Sequence, residues 1–225
     1  MKTLIQTPTN DLKNSIEFYS KLKFNIISDK DPVLVSDGKA FIQINPDRYA
    51  RAGIKLFRSE WKEAVNELSK LAKVVKTNDG FLLTDTSGMW IYLIETDTSF
   101  DLQISETSDS VLGNYMGIGL ETPEVEKSKE IWSILGFERN DPKWPSFTNI
   151  DQVTITLYEP NSCPHLFFNP SLTYFNGPEN LKVIDYIRQQ NIPIAEEITY
   201  FNPNNEVDNI IIKDPGGLGF FLFND

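Results

Sequence analysis

A single cysteine, Cys163, stands in 225 residues. No disulfide can form within the chain, and such usage suits a reducing compartment. A single histidine, His165, serves the whole sequence, leaving little material for imidazole-based metal centres. No apolar run approaches the ~20 residues of a membrane span. The opening segment, MKTLIQTPTNDLKN, turns polar too soon for a signal peptide. Basic residues are outnumbered, 21 against 32 acidic ones, for a net charge of -11. Nucleic acid demands the opposite balance, so it is not expected as a partner, and neither is a membrane. The expectation is a cytoplasmic protein. Solubility alone accounts for the acidity, which also accommodates a cationic small molecule.

What is present is a globular composition, 40% hydrophobic and 12% aromatic, in a chain long enough for one large domain or two of about 110 residues. Residues 3–7 read as a strand ended by Pro8. Asp11 then caps a helix in which Leu12, Ile16, Tyr19 and Leu22 recur at helical spacing. Three short strands follow near 24–28, 32–36 and 39–45, separated by DKDP and SDGK turns. The order then repeats: a strand at 53–57, a helix with Trp61, Val65, Leu68 and Leu71 inward, and strands near 73–76, 80–84 and 89–95. After a polar, acidic stretch at 96–112 it restarts, with strands at 115–121 and 171–175 each followed by a helix (124–135 and 179–190) and three more strands.

The repeat is visible residue by residue. Shifted by 113, LKNSIEFYSKLKF (12–24) falls on VEKSKEIWSILGF (125–137), matching Ser15 to Ser128, Tyr19 to Trp132 and Phe24 to Phe137. Shifted by 129, DTSGMWIYL (85–93) falls on DPGGLGFFL (214–222), matching Asp85 to Asp214. Both halves begin alike and end alike.

The strand followed by DLKNSIEFYSKLKF resembles the opening of the glyoxalase / bleomycin-resistance / extradiol-dioxygenase (vicinal oxygen chelate) superfamily. DTSGMWIYL and DPGGLGFFL resemble its closing segment. The resemblance implies an α+β fold of four βαβββ modules forming two tandem glyoxalase-like cup-shaped half-barrels. The implied divisions are 1–97 (modules 1–50 and 51–97), a linker at 98–112, and 113–225 (modules 113–168 and 169–225). Modules exchange partners in that superfamily, so a homodimer is also compatible.

Enzymes of the superfamily hold a divalent metal on the first and last strands of each module. The resemblance puts those positions at Leu4, Gln43, Tyr92, Gly117 and Phe221, with the remaining pair within one residue of Ile54 and Leu172. Three or four hard or borderline donors must converge to replace an ion's hydration shell. Segments 51–57 (RAGIKLF) and 170–176 (PSLTYFN) contain no His, Asp or Glu. Neither a metal nor another cofactor is expected. DPGGLG lacks the Lys-Ser/Thr of a phosphate loop and reads as a turn. Cys163 and His165 stand two apart with no helix N-terminus or cationic cluster nearby to activate a thiol, so they read as loop residues and not as a nucleophile and its base.

The aromatic residues carry the functional expectation. Gln6, Gln43, Trp90 and Tyr92 are candidate ligand-binding residues of the first cup, where a ligand wall and a filled cavity remain equal readings. Phe221 is the candidate in the second, which is expected to be a filled core. The first expectation is a protein that binds or sequesters a small cationic or aromatic molecule without catalysis. The alternatives are a metal-dependent lyase, isomerase or dioxygenase with unusual ligands, and a non-catalytic scaffold.

Overall fold

A computed structural model describes residues 3–97, 102–141 and 143–224. The first module runs β1 (Thr3–Pro8), α1 (Leu12–Lys21), β2 (Asn25–Ser28), β3 (Val33–Ser36) and β4 (Phe41–Asn45). The second runs β5 (Gly53–Arg58), α2 (Lys62–Leu71), β6 (Val75–Thr77), β7 (Gly80–Thr84) and β8 (Trp90–Glu95). The third has β9 (Asn114–Glu121), α3 (Val125–Ile134), β10 (Glu138–Arg139), β11 (Ser146–Thr148) and β12 (Thr154–Tyr158). The fourth has β13 (Ser171–Phe175), α4 (Asn180–Gln189), β14 (Ile194–Ile198), β15 (Asn209–Lys213) and β16 (Gly219–Phe223). Asp11 caps α1 as its sequence suggests, its carboxylate accepting from the Asn14 amide at 3.0 Å.

Each half forms one eight-stranded open sheet, in the order β2-β3-β4-β1-β5-β8-β7-β6 and, for the second, β10-β11-β12-β9-β13-β16-β15-β14. The first strands of the two modules pair antiparallel at the centre, β1 with β5 and β9 with β13. Each also pairs in parallel with a last strand, β1 with β4 and β5 with β8. Alternation along these strands sorts side chains onto two faces. Ile5, Ile42, Ile54, Ile91, Ile118, Ile155, Leu172 and Phe220 point to the helices and join one core shared by both halves. The opposite, concave faces form the two cups.

The helices join the halves. The Tyr186 hydroxyl of α4 donates to the Lys21 carbonyl at the end of α1 at 2.9 Å, and Arg58 reaches the Leu135 carbonyl after α3 at 2.6 Å. The connecting segment is docked and not a loose tether. Ser105 N–H donates to the Gly38 carbonyl at 2.8 Å, Val111 N–H to the Leu22 carbonyl at 3.1 Å, and Leu112 is buried. Of the linker expected at 98–112, residues 98–101 lie outside the described residues. Among the described residues no helix is long and apolar enough to cross a membrane.

Candidate functional site

Strand register places equivalent residues in the two cups. In the first, Leu4 faces Lys55 across β1–β5, and Lys55 faces Tyr92 across β5–β8. In the second, Gly117 faces Thr173 and Thr173 faces Phe221. The neighbouring row sets Gln6 beside Gln43, and Gly119 beside Thr156. The cup-facing residues of β5 and β13 are therefore Lys55 and Thr173. Ile54 and Leu172, one position earlier, lie wholly buried in the helix-side core.

The first cup is filled. Leu4, Leu34, Phe41 and Phe57 form a compact apolar cluster on its face, and Ile94 and Leu102 pack against it. Leu102 comes from the connecting segment, so the linker caps this cup. The polar residues there are tied to one another. Asn45 Nδ2–H donates to Gln6 Oε1 at 2.8 Å, and Gln6 Nε2–H donates to the Arg51 carbonyl at 3.0 Å. The Arg51 amide donates to the Tyr92 hydroxyl at 3.0 Å. Lys55 Nζ donates to Gln43 Oε1 at 2.5 Å and lies 5.9 Å from the centre of the Tyr92 ring. Burial pulls the Lys55 ammonium down to about 8, partly opposed by Asp47 and Asp79. Thus Gln6, Gln43, Trp90 and Tyr92 share one face, three of them bound to the protein's own groups.

The second cup is open. It holds a cavity of about 740 Å³ walled by Tyr115, Met116, Trp144, Phe201, Phe221 and Phe223, with Ser146, Thr154, Thr156, Thr173 and Tyr158 adding hydroxyls. The expectation of a filled core there is corrected, and the reason lies in the repeat. Leu4, Gln6, Leu34 and Phe41 of the first cup correspond to Gly117, Gly119, Ser146 and Thr154 in the second. Four bulky side chains become two glycines and two small hydroxyl residues, so the same backbone leaves a void. The 113-residue shift carries three of these pairs, Leu4 with Gly117, Gln6 with Gly119 and Phe41 with Thr154, whereas Leu34 meets Ser146 only at a shift of 112.

Cys163 and His165 also line this cavity, so the pair belongs to the wall of the second cup. Residues 160–165 have turn and bend geometry and 160–168 contain no strand, so both are loop residues as the sequence suggests. His165 is 9% exposed. Its ring sits 4.4 Å from that of Phe221, tilted by 40°, and 6.2 Å from that of Phe167, nearly parallel at 12°. Burial pushes the Cys163 thiol up, with a smaller upward contribution from Glu121, so its surroundings do not favour a thiolate. Burial likewise pushes the Tyr158 phenol up to about 12.

A surface groove of about 960 Å³ lies outside this cup, along the start of α3 and Trp144–Pro145. Its Lys127 and Lys129 pair with Glu124 at 3.5 Å and Glu126 at 2.5 Å. Its charges are largely neutralised from within.

Neither cup suits the superfamily's metal. In the first, the positions offer an apolar Leu4, the Lys55 ammonium, Gln43, whose oxygen already holds Lys55, and Tyr92, whose hydroxyl already accepts the Arg51 amide. In the second they offer Gly117, two threonine hydroxyls and Phe221, and no anionic or imidazole donor. Among the described residues no group of three or more His, Cys, Asp or Glu converges.

Neither a protein-family model nor a curated protein matches the sequence. Solved structures match the fold over nearly the whole chain. A Mn(II)-bound glyoxalase from Novosphingobium aromaticivorans superposes with a TM-score of 0.54 at 14% identity, covering 98% of this chain and 80% of its own. A 2,2',3-trihydroxybiphenyl 1,2-dioxygenase from Sphingomonas wittichii strain RW1 gives 0.54 at 13%, covering 98% and 88%. A 4-hydroxymandelate synthase mutant from Streptomyces coelicolor gives 0.52 at 11%, covering 97% and 90%. The tandem glyoxalase / extradiol-dioxygenase (vicinal oxygen chelate) fold follows from these likenesses. An activity does not, because function resides in the site and not in the fold.

Proposed function

We propose that this protein binds a small neutral or cationic aromatic molecule in its second cup and sequesters it without metal chemistry. The observation that carries the reading is the wall of the 740 Å³ cavity. It is built of aromatic rings, Met116 and hydroxyls, and Asp141 is the only Asp, Glu, Lys or Arg in the described wall. A volume of this order holds a drug-sized molecule. Aromatic faces attract planar groups and cations, whereas an anion would meet no lysine or arginine there. The net charge of -11 reinforces that selection at long range. A cytoplasmic setting, in which the lone Cys163 stays reduced, completes the proposal.

The sole histidine makes the test direct, because its imidazole protons form one unambiguous pair of NMR signals. Titration with 2-naphthylmethylamine, 2-naphthol and 2-naphthoate compares a cation, a neutral molecule and an anion on one ring. The amine and the naphthol are expected to shift the His165 signals and raise the melting temperature, and the naphthoate to do neither. Silence from all three, or preference for the naphthoate, would overturn the proposal. The fold's likeness to a Mn(II)-bound glyoxalase favours a second reading, a metal-dependent enzyme with unusual ligands. Stoichiometric metal in protein purified without chelator would establish it over the first.

A further inference from the structure

Resting on the ligand-binding reading of the second cup, we infer that His165 is the hydrogen-bond acceptor that selects ligands carrying an O–H or N–H donor. A backbone carbonyl fixes the ring's tautomer. His165 Nδ1 lies 3.1 Å from the Leu166 carbonyl oxygen. A carbonyl only accepts, so Nδ1 carries the proton, and in the neutral ring Nε2 keeps its lone pair. Nε2 has no hydrogen-bond partner among the described residues, and His165, only 9% exposed as a residue, lines the cavity.

The ring's orientation is held on several sides. Phe221 and Phe167 flank it, and the adjacent Leu166 amide donates to Glu196 on β14. The Asp141 carboxylate of the cup already accepts the Lys143 and Trp144 amides at 2.6 and 3.3 Å, and the other polar side chains both donate and accept. Ser146 and Thr156 pair with each other at 2.6 Å, and Thr173 donates to the Gly117 carbonyl at 3.1 Å. A hydroxyl can turn to give or take a hydrogen bond, so these groups discriminate little. A neutral imidazole fixed by its Nδ1–H presents an acceptor alone. A ligand whose donor meets Nε2 satisfies it, whereas an isostere that cannot donate leaves a buried acceptor unpaired. Discrimination of this kind exceeds what apolar shape alone provides.

Three measurements on the 225-residue chain test it. A long-range ¹H–¹⁵N correlation spectrum of the free protein is expected to show Nδ1 protonated and Nε2 bare. A protonated Nε2 in the neutral ring overturns the inference. Binding of 2-naphthol is then compared with that of 2-methoxynaphthalene, which keeps the ring and oxygen but lacks the donor. The wild type is expected to prefer the naphthol about tenfold, and His165→Phe, which retains a flat ring, to bind the two alike. Equal binding by the wild type overturns the role of His165 and leaves the ligand-binding reading standing. A preference that survives in His165→Phe does the same. Binding of neither compound overturns both. Because the spectrum and the paired affinities are read on the wild type, a poorly folded variant does not remove the test.

Discussion

The Tyr19 hydroxyl of α1 donates to Oδ2 of Asp214, 195 residues away, at 2.8 Å. Its repeat equivalent does the same in mirror fashion: Trp132 Nε1–H donates to Oδ2 of Asp85 at 3.2 Å, alongside the Ser128 hydroxyl at 2.8 Å. Each half thus anchors the opening helix of the other on its own closing turn. The Asp214 carboxylate also receives the Leu218 amide at 2.8 Å, so it shapes the turn before β16. The Asp85 carboxylate receives the Ser87 and Met89 amides before β8 at 2.9 and 3.3 Å. With Tyr174 donating to Asp37 at 2.9 Å, these bonds join the halves into one packed body.

Tyr19→Phe removes one donor from a buried carboxyl. Loss of a partner at such a site costs about 1–3 kcal/mol. Burial holds Asp214 above the ordinary carboxylate value, opposed by the bonds from Thr7 and Tyr19. A raised folded value means that stability falls as pH rises through it, because the folded state then holds a costly buried charge. Deleting the Tyr19 bond worsens that charge alone. The loss is therefore expected to be greater at pH 7 than in mild acid, measured as urea midpoints of wild type and variant.

Lys55 gives the opposite dependence. Its folded value of about 8 lies below the ordinary 10.5, so between those limits the unfolded chain binds more protons and stability rises with pH. The shift corresponds to about 3 kcal/mol at neutral pH. Lys55→Met removes this cost but leaves the Gln43 oxygen without its donor, a loss of about 1 kcal/mol. The variant is expected to be about 2 kcal/mol more stable than wild type at pH 7 and to lose that advantage near pH 10. A variant that is less stable at pH 7 would show that the ammonium is a net support of the first cup.

Gly117→Ala should be costly despite its size. Gly117 has φ +130°, and an added Cβ would lie 2.6 Å from the Thr154 carbonyl oxygen. Strain of this kind costs on the order of 1–3 kcal/mol. Thermal unfolding should show a clear fall in melting temperature, and the same strain opposes introducing His at this position to rebuild a metal site.

Thr154→Phe together with Ser146→Leu copies the first cup's Phe41 and Leu34 into the second. The pair is expected to narrow the 740 Å³ cavity and to weaken the response of His165 to 2-naphthol. Stability should change little, since the new side chains pack against Phe221 and Tyr158. Unaltered binding would place the ligand elsewhere.

Much of the architecture was legible in the sequence because it depends on local pattern. Apolar periodicity marked Tyr19 and Leu22, Asp11 marked the start of α1, and the shifts of 113 and 129 residues matched Tyr19 to Trp132 and Asp85 to Asp214. The candidate site was less legible. Gln6, Gln43, Trp90 and Tyr92 do share a cup face, but Leu34, Phe41, Phe57 and Leu102 fill that cup. Cys163 and His165 are loop residues as read, but that this loop folds back to line the second cup is a long-range placement that no local pattern reveals.

By itself the sequence determined four repeated modules, their helices and strands, and which positions carry no metal donor. Those features follow from side-chain chemistry and short-range periodicity. Tertiary structure alone decided that Tyr19 meets Asp214 and not Asp85, that Leu102 caps the first cup, and that His165 lines the second. Each depends on how segments far apart in the chain pack together. Whether a cup is full or empty is a matter of summed volume across several strands, which no single strand's pattern reveals.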